Sequence, residues 1–225
     1  MLPEKVGIMN PFRTKVALNA SVLIATTAVA ATMATSPASA KVARDATETK
    51  GRLTALNNSG IAGSAEAVVN GRRLIFDIDA RKVLKGMPHA QHIHFGAQAR
   101  HECPTAARDD ENNDHRLTTT DGAPAYGPVR ISLTTKGDSS AKSVLAVDRF
   151  PTPERSTITY NRQIRTSKAL ARAIRRGQAV YVLHGLDYNG NGKYDFDGAG
   201  ASDLDPSLPA EATDPAACSV LNPQN

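Results

Sequence analysis

The chain has 225 residues, 40% hydrophobic and 4% aromatic, with no Trp and a formal net charge of +5. Part of that charge sits at the N-terminus, where Lys5, Arg13 and Lys15 face only Glu4, so the remainder is too balanced for the concentrated basic face of a nucleic-acid binder. No Gly-rich phosphate loop follows a strand pattern, which excludes the usual nucleotide chemistry, while steering of a small anion stays open.

Residues 1–40 read as an export signal. Arg13 and Lys15 precede an uncharged Ala/Thr/Val-rich stretch from Val16 to Ala34, and Ala38-Ser39-Ala40 has the pattern of a cleavage site. Asn19, Ser21, Thr26, Thr27 and Thr32 interrupt the stretch and argue against a transmembrane anchor. Cleavage near Ala40 predicts one secreted or extracytoplasmic domain over residues 41–225. Cys103 and Cys218 are the two cysteines, and two cysteines in an exported chain usually pair.

Beyond residue 40 the dominant period is two. Leu74, Phe76 and Ile78 alternate with Ile75, Asp77 and Asp79. Val129, Ile131 and Leu133 alternate with Arg130 and Ser132, and Ile158 and Tyr160 with Thr157 and Thr159. Ala179–Leu183 is wholly apolar, as in a central strand. Asn57-Asn58-Ser59-Gly60 and Asn70-Gly71 carry hairpin turn signals. One short helix is expected, capped by Ser167, striped by Leu170, Ala173 and Ile174, and ended by Gly177. Residues 97–127 and 187–217 read as long loops. The pattern predicts an all-β antiparallel sandwich or barrel.

The histidines carry the chemistry. His92 and His94 are two apart on a strand pattern, so their rings share one face at roughly 6.5–7 Å. His184 ends the apolar run on the face of Val180 and Val182 and would complete a three-nitrogen site. Imidazole sets suit copper and zinc. Asp187-Tyr188-Asn189-Gly190-Asn191-Gly192-Lys193-Tyr194-Asp195 has the oxygen-ligand spacing of a calcium loop, with Gly198 where its closing Glu would stand. Calcium at Asp187, Asn189, Asn191 and Asp195 competes with a plain polar turn. The run Asp109–Asp114 reads as a solvated acidic loop.

Four ordered segments carry a resemblance. Gly86–Gly96 is similar to the G-x-H-x-H-x-F-G segment of Cu/Zn superoxide dismutases. Pro88–His94, Val182–Asp187, Leu208–Thr213 and Ala216–Cys218 resemble, in order, the motifs of the related CHRD domain of exported bacterial proteins and chordin repeats. The resemblance spans about Leu53 to Leu221. It implies a Greek-key β-barrel or sandwich, copper ligands His92, His94 and His184, with His115 or His101 as a further ligand, and a Cys103–Cys218 disulfide. It implies a hydrogen bond from a ligand ring to Asp187. Asp109 stands where the dismutase family has its metal-bridging His, so a zinc site is not expected. Pro215 replaces an Arg that attracts superoxide. Two functions follow from the resemblance: dismutation of superoxide to O2 and H2O2 at copper, or a non-enzymatic binding module at the cell surface with a protein partner.

Overall fold

A computed structural model describes residues 46–224, so the export signal expected at residues 1–40 lies outside the described residues. Ten strands run β1 (Thr47–Arg52), β2 (Thr54–Ala55), β3 (Ala62–Asn70), β4 (Arg73–Arg81), β5 (Gln91–His94), β6 (Val129–Ser132), β7 (Thr157–Arg165), β8 (Val180–His184), β9 (Pro215–Val220) and β10 (Asn222–Pro223). They form two five-stranded sheets, ordered β10-β1-β3-β4-β7 and β2-β9-β8-β5-β6. Every ladder is antiparallel.

The alternating patterns explain the first sheet. On β4, Leu74, Phe76, Ile78 and Ala80 are buried, and Asp77 and Asp79 are exposed. β8 is apolar up to His184 because both its faces are covered. Tyr181 and Leu183 enter the core between the sheets with Phe76 and Ile78. Val180 and Val182 pack on the other face with Leu56, Leu117, Tyr126 and Cys218. That second face is roofed by loops, and it is the face of the histidines. Each large apolar side chain buried in these clusters contributes roughly 1.5–3 kcal/mol.

Two strand pairs change sheets side by side. β1 passes into β2 at buried Leu53, and β9 into β10 at buried Leu221, so β1 pairs with β10 in one sheet and β2 with β9 in the other. At the opposite side β6 and β7 are outer strands with one neighbour each, and among the described residues the sheets do not close into a barrel. The expected sandwich is therefore present as two antiparallel layers, and barrel closure is not.

Gly71 begins the two-residue loop joining β3 to β4 with φ 60°, a conformation that suits Gly at the first position of a tight hairpin. The turn expected at Asn57–Gly60 is not a hairpin. Asn57 and Asn58 take φ of 50° and 57° and carry the chain from β2 in one sheet to β3 in the other. Asn tolerates that left-handed region because its side chain bonds locally. At Asn57 the side chain instead bonds far along the chain, its amide donating to the carbonyls of Leu117 and Pro215.

Among the described residues five short helices interrupt the loops: α1 (Ala106–Asp109), α2 (Thr119–Tyr126), α3 (Lys168–Arg175), α4 (Phe196–Ala199) and α5 (Ala210–Thr213). α3 is the expected helix, with the Ser167 hydroxyl accepting from Leu170 N and Leu170, Ala173 and Ile174 buried. α2 opens with a capping box between Thr118 and Asp121. The expected loop at 187–217 is shorter than its composition suggests, since β9 already starts at Pro215. A third loop, 133–156, was not visible in composition and contains 3-10 turns at Ala141–Ser143 and Val147–Arg149.

Candidate metal centre

His92 and His94 lie on β5, opposite Val182 and Val180 of β8. His184 ends β8, its backbone N–H bonded to the Ala90 carbonyl just before β5. Register shifts fall at His94 and at His184. Such irregularities re-aim side chains, and they occur here on two of the three imidazole positions. The ring centroids are 5.8 Å apart for His92 and His94, 5.1 Å for His92 and His184, and 6.4 Å for His94 and His184. All three residues are buried, at 2–3% exposure.

Each ring spends one nitrogen on a main-chain carbonyl. Nε2–H of His92 donates to Val144 O at 3.2 Å, Nδ1–H of His94 to Gly127 O at 2.6 Å, and Nδ1–H of His184 to Thr213 O at 2.6 Å. A carbonyl only accepts, so these bonds fix the tautomers and leave the other nitrogen as a lone pair. Those nitrogens, Nδ1 of His92, Nε2 of His94 and Nε2 of His184, are buried without a partner. The three rings bring ligand atoms within 4.8 Å of one another, and among the described residues no other group of three His, Cys, Asp or Glu does so. Burial holds all three rings neutral: His94 is lowered to about 3, His184 to about 4, and His92 well below its ordinary value. Neutral imidazole is the form that binds metal.

The cavity at these nitrogens measures about 50 Å3, room for an ion and one small molecule. Apart from the histidines its wall is Ala, Val, Leu and Thr, with no Lys, Arg, Asp or Glu. Leu145, Val147 and Leu204, on the rim, are 39–48% exposed. The Tyr126 ring lies edge-on 4.4 Å from His94, and Phe150 5.4 Å from His92.

Three loops build this surround, and of the residues they contribute only Thr213 lies in a segment that the sequence marks, Leu208–Thr213. Loop 97–127 supplies Tyr126 and Gly127 and is tied to β9 by the Cys103–Cys218 disulfide. Loop 133–156 supplies Val144 and Phe150. Loop 187–217 supplies Thr213. Alternation marks strand residues, whereas carbonyl acceptors on loops leave no trace in residue type.

The other candidates lie elsewhere. His101 donates from Nε2 to Gly96 O at 2.8 Å and stacks on Phe95. His115 is exposed, at φ 65°, with its amide on Asp110. Neither joins the histidine trio. Asp109 is spent on Arg100 and on Thr105 N. The Asp187 carboxylate does not reach a ligand ring. It accepts from the amides of Gly190, Asn191 and Gly192 in its own loop, while Thr213 O fills the place expected for it at His184.

The rest of the loop closes similarly on itself, the amides of Asn189 and Asn191 donating to Asp195. Fully buried Glu211 pins both ends, accepting from Tyr188 N at 2.7 Å and Asp195 N at 2.8 Å. A Cβ at Gly198 would fall 1.9 Å from Glu211 Oε1, so any larger residue there has to displace that carboxylate.

Among the described residues no helix is long and apolar enough to cross a membrane. No family model matches the chain, and no curated protein matches it.

Proposed function

We propose that the protein holds one copper ion per chain at His92, His94 and His184, on a scaffold of the kind seen in CHRD domains and Cu/Zn superoxide dismutases, outside the cytoplasm. The observation that carries this reading is the set of three buried imidazole nitrogens without partners, facing one small cavity. Leaving three polar atoms buried and unpaired is costly, and one cation relieves all three. An all-imidazole donor set suits copper. The disulfide fits an oxidising compartment. Bound copper would supply one-electron exchange with a small redox partner such as superoxide. The chain's own residues hold the rings neutral, fix their tautomers and keep bulk water out.

A specific observation favours the second reading, a metal-bearing binding module without fast turnover. The mouth of the site is apolar and carries no cation to draw in superoxide, and Pro215 is a buried strand residue.

The test is metal analysis of protein loaded separately with copper and zinc, with the nitrogen signature read by electron paramagnetic resonance. One Cu(II) per chain, lost completely in His92→Ala and equally in His184→Ala, is expected. Stepwise, independent losses, or a preference for zinc, would overturn it. Superoxide consumption by the copper-loaded protein then separates the two readings.

A further inference from the structure

A cleft of about 680 Å3 opens where β6 and β7 leave the two sheets unjoined. Its wall carries three arginines from three elements: Arg72 of the β3–β4 hairpin, Arg130 of β6 and Arg165 of β7. Two of them are pre-set. Arg72 donates from Nε to Thr166 O at 2.7 Å, and Arg130 from Nε to Phe95 O at 2.8 Å. An Arg anchored through Nε keeps both terminal amino groups for a ligand, the fork that fits a carboxylate, sulfate or phosphate.

Among the described residues Arg72, Arg130 and Arg165 appear in no ion pair. Arg165 stands directly across the ladder from Arg73, a like-charge pair that weakens a sheet unless an anion offsets it. The one acid in the wall, Asp138, is occupied by the hydroxyls of Ser140 and Ser143. The N-terminal turn of the eight-residue α3 borders the cleft through Ser167 and Ala169 and adds its partial positive charge. Ile131, Ile164 and Leu170 also line it and offer apolar surface to a carbon skeleton.

We propose that this cleft binds a ligand carrying two or more oxyanion groups. Its size exceeds a single phosphate and lies within the range of small-molecule sites. None of the three arginines lines the histidine cavity, so the inference is independent of the copper reading.

Calorimetric titration of the protein with pyrophosphate at low ionic strength tests it, with orthophosphate as the comparison carrying a single oxyanion group and citrate as the carboxylate counterpart. Saturable one-to-one binding is expected, tighter for pyrophosphate or citrate than for orthophosphate. Arg130→Gln and Arg165→Gln, both at exposed positions, should each weaken it by about tenfold or more. Arg155→Gln, an exposed change outside the cleft, should leave it unchanged. Absence of saturable binding, or equal weakening by Arg155→Gln, would overturn the proposal.

Discussion

The Thr213 carbonyl oxygen lies 2.6 Å from Nδ1 of His184, so the short helix preceding the last long strand sets the tautomer of a ring 29 residues earlier in the chain. Gly127 stands in the same relation to His94. The metal-facing nitrogens are thus aimed by backbone from segments remote in sequence.

Gly127 has φ 81° and ψ −174°, a backbone region open essentially to Gly alone. A Cβ there would meet Gly96 N at 2.9 Å and Ala99 Cβ at 3.0 Å. Gly127→Ala is expected to cost about 1–3 kcal/mol of stability and to move the carbonyl off His94. Urea unfolding and copper affinity should fall together.

The Cys103–Cys218 bond closes a loop with a sequence separation of 115. Chain-entropy reasoning gives about 4–5 kcal/mol as an upper estimate for its contribution. The unfolded, unreduced protein should show no free thiol on titration. Cys103→Ser/Cys218→Ser should lower the melting temperature and loosen the segment that carries Tyr126 and Gly127, read as faster amide exchange there.

Stability of the metal-free protein should fall as pH drops below about 6.5. His92, His94, His184 and His89 all have folded values lowered by burial, so the unfolded chain takes up protons first. Their contribution is complete above the unfolded value and is lost as pH falls, down to about 4 for His184 and about 3 for His94. Asp214 acts in the opposite sense, since burial raises it to about 7 and its protonated form is favoured in the fold. Four histidines against one aspartate leave a net loss toward acid. Denaturant midpoints at pH 4.5 and 7.5 check it: a higher midpoint at 4.5 would contradict the sign.

Glu211→Ala removes the acceptor of two backbone amides, Tyr188 N and Asp195 N, each worth about 1–3 kcal/mol when left buried and unpaired. The 187–198 segment should lose exchange protection while the histidine site still loads copper. Gly198→Ala should reproduce the effect by pushing the same carboxylate aside.

Much of the framework could be read from residue order. Period-two alternation marked β4 and β7, the capping Ser167 and Gly177 bounded α3, and the spacing of His92, His94 and His184 placed all three rings on one face. What escaped has a physical reason. The left-handed turn at Asn57–Asn58 looks the same whether the chain returns to its own sheet or crosses to the other. The 133–156 loop has ordinary composition and is recruited through the Val144 carbonyl and the Phe150 ring. Asp187 has the residue type to orient an imidazole, but three nearer loop amides satisfy its oxygens first.

Every imidazole of the trio takes its orientation from a peptide carbonyl, at Val144, Gly127 or Thr213. A carbonyl is present whatever the side chain. The covering loops can therefore be rewritten in residue identity, altering the apolar rim and what it admits, without disturbing the donor atoms beneath, provided the path and length of the backbone are kept. Insertions and deletions are the changes such a centre tolerates least.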